Sequence, residues 1–176
     1  MKNIKKMIYA AMFAAFTGVL SQIIIPLPFA PVPVNPALIM PMLSGLVLGV
    51  KWGTLSQIIY VLAGACGIPV FAGLRGGLTV LLGPTGGYLF GYILCAAVTG
   101  ILAVKLKNFK YAVLITCICG ADICLTTGTL WFILITKTNI LTAVATCVLP
   151  FLPGDILKVI ACTYIYKALE KRKFTI

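Results

Sequence analysis

Two residues in the stretch LPFLPGDILKVIACTYIY, positions 149–166, have the chemistry to hold a polar ligand: Asp155 and Lys158. A spacing of three puts both on one helical face, so they can meet each other or converge on a third group. A carboxylate offers only acceptors and an ammonium only donors, and together they match a group that presents both. Their surroundings are otherwise apolar. A charge near mid-membrane costs roughly 2.5 to 3.5 kcal/mol on insertion scales, so such residues are kept for pairing or for function.

Asp122, in CICGADICLTTGTLW, is the other acid inside an apolar run. Three roles are open to it: pairing with Lys158 to lock two helices together, binding a ligand donor, or carrying a proton. Thr126, Thr127 and Thr129 follow it and add hydroxyl groups.

The elements that position these residues are membrane helices. Of the 176 residues, 61% are hydrophobic and 10% charged, too apolar for a soluble domain of this length. A span needs about 20 apolar residues, so residues 1–176 make one transmembrane domain of roughly six spans. Breaks at Pro, Gly and charge predict helices near 7–26, 36–50, 53–66, 84–104, 111–135 and 150–167. The basic and apolar start is read as the first helix, since its apolar run is longer than that of a cleaved signal.

Orientation follows from charge. With the N-terminus inside, eleven basic residues face the cytoplasm: Lys2, Lys5, Lys6, Lys51, Lys105, Lys107, Lys110, Lys167, Lys171, Arg172 and Lys173. Only Arg75 and Lys137 fall outside, and Lys158 stays within the membrane. This bias accounts for most of the net charge of +11, so no nucleic-acid partner is needed. The chain has no histidine, and its seven cysteines form no CxxC pair, which argues against a metal site and against hydrolytic chemistry. The cysteines read as small buried hydrophobes.

Two segments are expected to close a pocket. PLPFAPVPVNP, 26–36, carries five prolines and is an extended outer loop. Residues 64–91 hold nine of the 17 glycines, and irregular backbone at membrane depth is tolerated where it is buried or lines a cavity. GPTGGYLFGY lacks the Lys-Ser/Thr ending of a phosphate-binding loop. Arg75 either snorkels to headgroups or meets a ligand, while Phe71 and Tyr88 offer flat faces to a ring. In helix 1, Ala10 and Ala14, and Ala11 and Ala15, are each four apart, the small-residue spacing that lets helices approach closely in lipid.

GIPVFAGLRGGLTVLLGPTGGYLFGY (67–92) together with LPGDILK (152–158) resembles the BioY family, biotin-specific substrate-binding (S) components of energy-coupling factor (ECF) transporters. The resemblance implies an all-α, six-helix fold with both termini cytoplasmic, in a prokaryotic cell membrane. It implies biotin capture without enzymatic activity or a cofactor, and docking onto a transmembrane coupling subunit that carries two cytoplasmic ATPase subunits. It assigns the ligand to Asp155 and Lys158, with Arg75, Gly73, Thr85, Gly86, Gly87 and Tyr88 around them. It assigns the partner interface to Ala10, Ala11, Ala14 and Ala15. Where some relatives carry small polar side chains in the loop, this chain has Gly73 and Leu74. The competing reading is a solitary secondary transporter or channel that couples to protons through Asp122 and Asp155.

Overall fold

The structure, a computed structural model, describes residues 2–24, 35–109 and 111–171. The proline-rich segment expected to cover the pocket lies, apart from Asn35 and Pro36, outside the described residues. The described residues form helices α1 (Lys2–Ser21), α2 (Ile39–Ala65), α3 (Leu78–Leu81), α4 (Gly86–Lys105), α5 (Ala112–Thr136), α6 (Ile140–Cys147) and α7 (Leu152–Lys171), with a 3-10 turn at Pro36–Leu38. Asn35 starts that turn by accepting from the Ala37 N–H at 3.1 Å, and Pro36 supplies the fixed φ of a first helical residue.

Four stretches are long and apolar enough to cross a membrane: Asn3–Ser21, Pro36–Ala65, Gly86–Lys105 and Ala112–Thr136. α6 and α7 pass that test only together, bent by 50° at a short break. The chain is therefore a multi-pass membrane protein.

α2 is not one straight rod. Gly49 has φ 75° and ψ −178°, a conformation that L side chains rarely adopt, and the helix reverses there. In a straight helix Gly45 and Gly53 would be roughly 12 Å apart. Here a Cβ built on Gly53 would lie 2.9 Å from the Gly45 Cα, so 39–48 and 50–65 run side by side. The predicted pair of short helices is thus correct in kind, with the reversal at Gly49 rather than at residues 51–52. The first arm presses on α4, where a Cβ on Gly45 would meet the Ala96 carbonyl at 2.5 Å. In lipid such close backbone contact, rather than expulsion of water, holds helices together. A buried polar tie adds to it, since Gln57 of α2 and Thr17 of α1 are 3.4 Å apart.

Other boundaries differ by a few residues, α1 most: it ends at Ser21, not 26. The Ser21 hydroxyl and Gln22 amide both donate to the Gly18 carbonyl, at 2.7 and 3.0 Å, and satisfy the helix end. α3 and α6 were not expected. α5 stops where Lys137 takes a left-handed conformation (φ 53°), and Asn139 then opens α6. Five of the seven cysteines are buried as expected, but Cys66 is exposed because it caps α2 at the surface.

Candidate ligand site

Pro153 sits in the first turn of α7, where its missing N–H costs nothing, and Asp155 follows with its N–H bonded to the Phe151 carbonyl at 2.8 Å. One turn on, Lys158 Nζ donates to Asp155 Oδ1 at 2.8 Å, and both side chains are buried. This is the ion pair among the described residues, and it is internal to α7. Only one of the three ammonium protons is used, and the second carboxylate oxygen has no partner among the described residues. A buried pair is stable only when its remaining donors and acceptors are met, and this one has bonding capacity left for a further group.

Space for that group adjoins it. A narrow cavity of about 50 Å³ is bounded by Asp155, Lys158, Asn35, Tyr88, Tyr92 and Phe151. Asn35, Tyr88 and Tyr92 also border a larger cavity of about 370 Å³ that runs past Tyr60, Phe71 and Thr85 to Gly73 and the exposed Arg75. The two adjoin across Asn35, Tyr88 and Tyr92 and together outline an elongated pocket, with the buried charge pair at one end and the Arg75 cation at the other. Its walls are aromatic: Tyr60 packs edge-on to Phe71 at 5.6 Å and stacks with Tyr92 at 6.3 Å, and Tyr88 stacks with Phe151 at 6.1 Å. Such walls suit a compact apolar ring. Asn35 Oδ1 accepts from the Tyr92 hydroxyl at 3.2 Å, which fixes both side chains at the junction.

The glycine-rich loop forms the outer wall. Phe71 and Arg75 exchange backbone hydrogen bonds at 2.9 and 3.3 Å around Gly73 and Leu74, both with positive φ (75° and 54°). Gln22 fastens this turn to the end of α1: its Nε2 donates to the Val70 and Phe71 carbonyls at 3.1 and 3.2 Å, and its Oε1 accepts from the Leu74 N–H at 2.8 Å. Leu74, held with φ positive, depends on that clasp. Replacing Gln22 by Ala should weaken ligand binding about tenfold by loosening the wall, from two or three lost hydrogen bonds worth about 1 kcal/mol each, part of which is recovered by water. Calorimetric titration beside a thermal melt checks this: affinity should fall about tenfold, and the melting temperature should drop by a few degrees.

GPTGGY works through its glycines. A Cβ on Gly86 would collide with the Leu81 carbonyl, and one on Gly87 with the side chain of Trp131 on α5. Trp131 Nε1 in turn donates to the Gly83 carbonyl at 3.0 Å. The glycines let α4 start in contact with both α3 and α5, and this sets where Tyr88 and Tyr92 point.

Of the residues expected at the site, Asp155, Lys158, Arg75, Gly73, Thr85 and Tyr88 line the pocket. Gly86 and Gly87 are buried behind it. Asn35, Tyr60, Tyr92 and Gln22 were missed. Tyr92 had a signal, since it repeats Tyr88 one turn later on the same face of α4. Asp122 does not pair with Lys158: it is exposed on α5 while Ala121 beside it is buried. It also lies outside the pocket lining, so the two acids do not form one proton path through the cavity. On α1, Ala10 and Ala14 are buried inside the bundle and Ala11 and Ala15 are exposed.

The sequence model of the BioY family matches residues 1–174. The chain belongs to the BioY family. It is 40% identical to a biotin transporter BioY of Thermotoga maritima over 168 residues, covering 95% of this chain and 96% of that one. It is 36% identical to a probable biotin transporter BioY of Pyrococcus horikoshii over 169 residues, covering 94% and 96%. A crystal structure of the S-component for biotin from an ECF-type ABC transporter superposes with a TM-score of 0.89 at 30% identity, covering 97% of this chain and 93% of that one. The helical fold described above is thus that of an ECF S-component.

Proposed function

We propose that this BioY-family chain captures biotin in the elongated pocket and is the biotin-binding S-component of an ECF transporter. The observation that carries the reading is the buried, incompletely bonded pair Asp155 and Lys158 at the closed end of an aromatic-walled cavity. The ureido ring of biotin is neutral and presents two N–H donors beside one acceptor oxygen, the complement of a free carboxylate oxygen and free ammonium protons. The biotin carboxylate at that end would instead leave an uncompensated negative charge in a buried site. The thioether ring then packs between Tyr88, Tyr92 and Phe71, and the carboxylate reaches Arg75 at the mouth.

Titration of the purified protein checks this. Biotin should bind far more tightly than thiamine or riboflavin, and biotin amide should bind about tenfold more weakly than biotin, the worth of one solvent-exposed charge-assisted pair. Arg75→Gln should lose that same factor for biotin and none for the amide. Equal affinity for the three vitamins would refute the ligand.

The same reading places the chain in a prokaryotic cytoplasmic membrane. If each arm of α2 and the bent pair α6–α7 are each taken as one crossing, the total is six, an even number that agrees with the eleven-to-two distribution of basic residues favouring both ends inside. Drive comes from a transmembrane coupling subunit with two ATPase subunits. Ala11 and Ala15 are the accessible part of the small-residue stripe for that partner, with Ala10 and Ala14 supporting it from behind.

A further inference from the structure

An apolar groove of about 400 Å³ lies outside the bundle, away from the pocket. Tyr9, Phe16 and Leu20 of α1 form one wall, Leu43 and Val47 of α2 the other, and Leu169 of α7 closes one end. From Tyr9 to Leu20 the groove is roughly 17 Å long. It is a continuous apolar channel along α1, with the length and polarity to take an extended hydrocarbon chain.

Its end is chemically marked. Lys5 and Lys6 precede Tyr9 by four and three residues, so they continue the groove's face of α1 one turn further. Val47 stands two residues from the reversal at Gly49, and the exposed Lys51 follows it. Glu170, beside Leu169, is the acid at this end, against three lysines. We infer that the groove holds one acyl chain of an anionic phospholipid, with its phosphate taken by Lys5 and Lys6. At about 100° per residue the groove's face of α1 is centred roughly 120° from the face carrying Ala11 and Ala15, so a lipid there leaves the small-residue stripe free. The inference does not depend on which solute the pocket takes.

The test uses the full chain in vesicles of equal phosphatidylglycerol and phosphatidylcholine with identical acyl chains. After mild detergent extraction, retained lipids are counted by native mass spectrometry. One phospholipid per chain is expected, with phosphatidylglycerol enriched about tenfold or more, as two surface lysines supply. Lys5→Gln with Lys6→Gln should abolish the enrichment and keep the lipid. Val19→Trp, at an exposed position that lines the groove, should expel the lipid while ligand binding in the pocket, read as proof of folding, stays unchanged. Equal retention of both headgroups by the native chain overturns the inference, as does a retained lipid that Val19→Trp does not displace. Loss of coupling-subunit or self-association in Val19→Trp, with no lipid retained by the native chain, would assign the groove to a protein instead.

Discussion

Lys158→Ala should weaken biotin binding by roughly thirtyfold or more in Kd. Truncating one member of a buried, hydrogen-bonded charge pair costs about 2 to 5 kcal/mol in binding, and in the proposed site the lost ammonium is also a donor to the ligand. The same change leaves Asp155 buried without its 2.8 Å partner, which lowers the stability of the fold by up to about 3 to 5 kcal/mol unless the carboxyl takes up a proton. A second variant separates the two effects. Asp155→Asn with Lys158→Met keeps the volume and removes both charges, so the melting temperature should return close to that of the native chain while biotin binding stays weak. Isothermal titration and thermal melts in one detergent measure both. Recovery of binding in the double variant would show that the pair is structural.

Gly87→Ala is the second large effect, and it arises outside the pocket. The added methyl meets the Trp131 side chain and comes within 3.0 Å of the Thr127 carbonyl, so α4 must move away from α5. Overpacking of this kind costs about 1 to 3 kcal/mol, or roughly 2 to 12 °C in melting temperature for a chain of this length. Tyr88 is the next residue and stacks on Phe151, so the displacement also reaches the aromatic wall and the turn that leads to Asp155. Biotin affinity should fall by tenfold or more together with stability. Trimming Trp131 to Leu in the Gly87→Ala background should relieve the clash and recover part of the stability, which a melt would read directly.

The residues that could be picked out from the sequence were those that contradict their surroundings. Asp155 and Lys158 are anomalous in an apolar run, and the crowded glycines between 64 and 91 are anomalous in a helical protein, and both groups border or support the pocket. Asn35, Tyr60, Tyr92 and Gln22 are ordinary residues in ordinary places, and only the folding of α1, α2 and α4 around one cavity gives them a role. Asp122 shows a different limit. Counting along α5 gives its depth, but one residue is a turn of about 100° around the axis, and that separates buried Ala121 from exposed Asp122. The reversal of α2 was legible as a break marked by Lys51, but the residue whose backbone makes it is Gly49. α6 was lost because eight residues, six of them apolar, between two longer helices carry no span-length signal of their own.

That Asp155 and Lys158 neutralise each other within a single turn of α7 bears on the energetics of release. The empty pair carries no net charge, so it feels almost none of the roughly 2.3 kcal/mol that 100 mV exerts on each unit charge moved across the bilayer. In the proposed pose the one charge that changes on loading, the biotin carboxylate on Arg75, lies at the pocket mouth and outside most of that field. Binding and release should therefore depend only weakly on membrane voltage, and a potential imposed on proteoliposomes should change the affinity for biotin little.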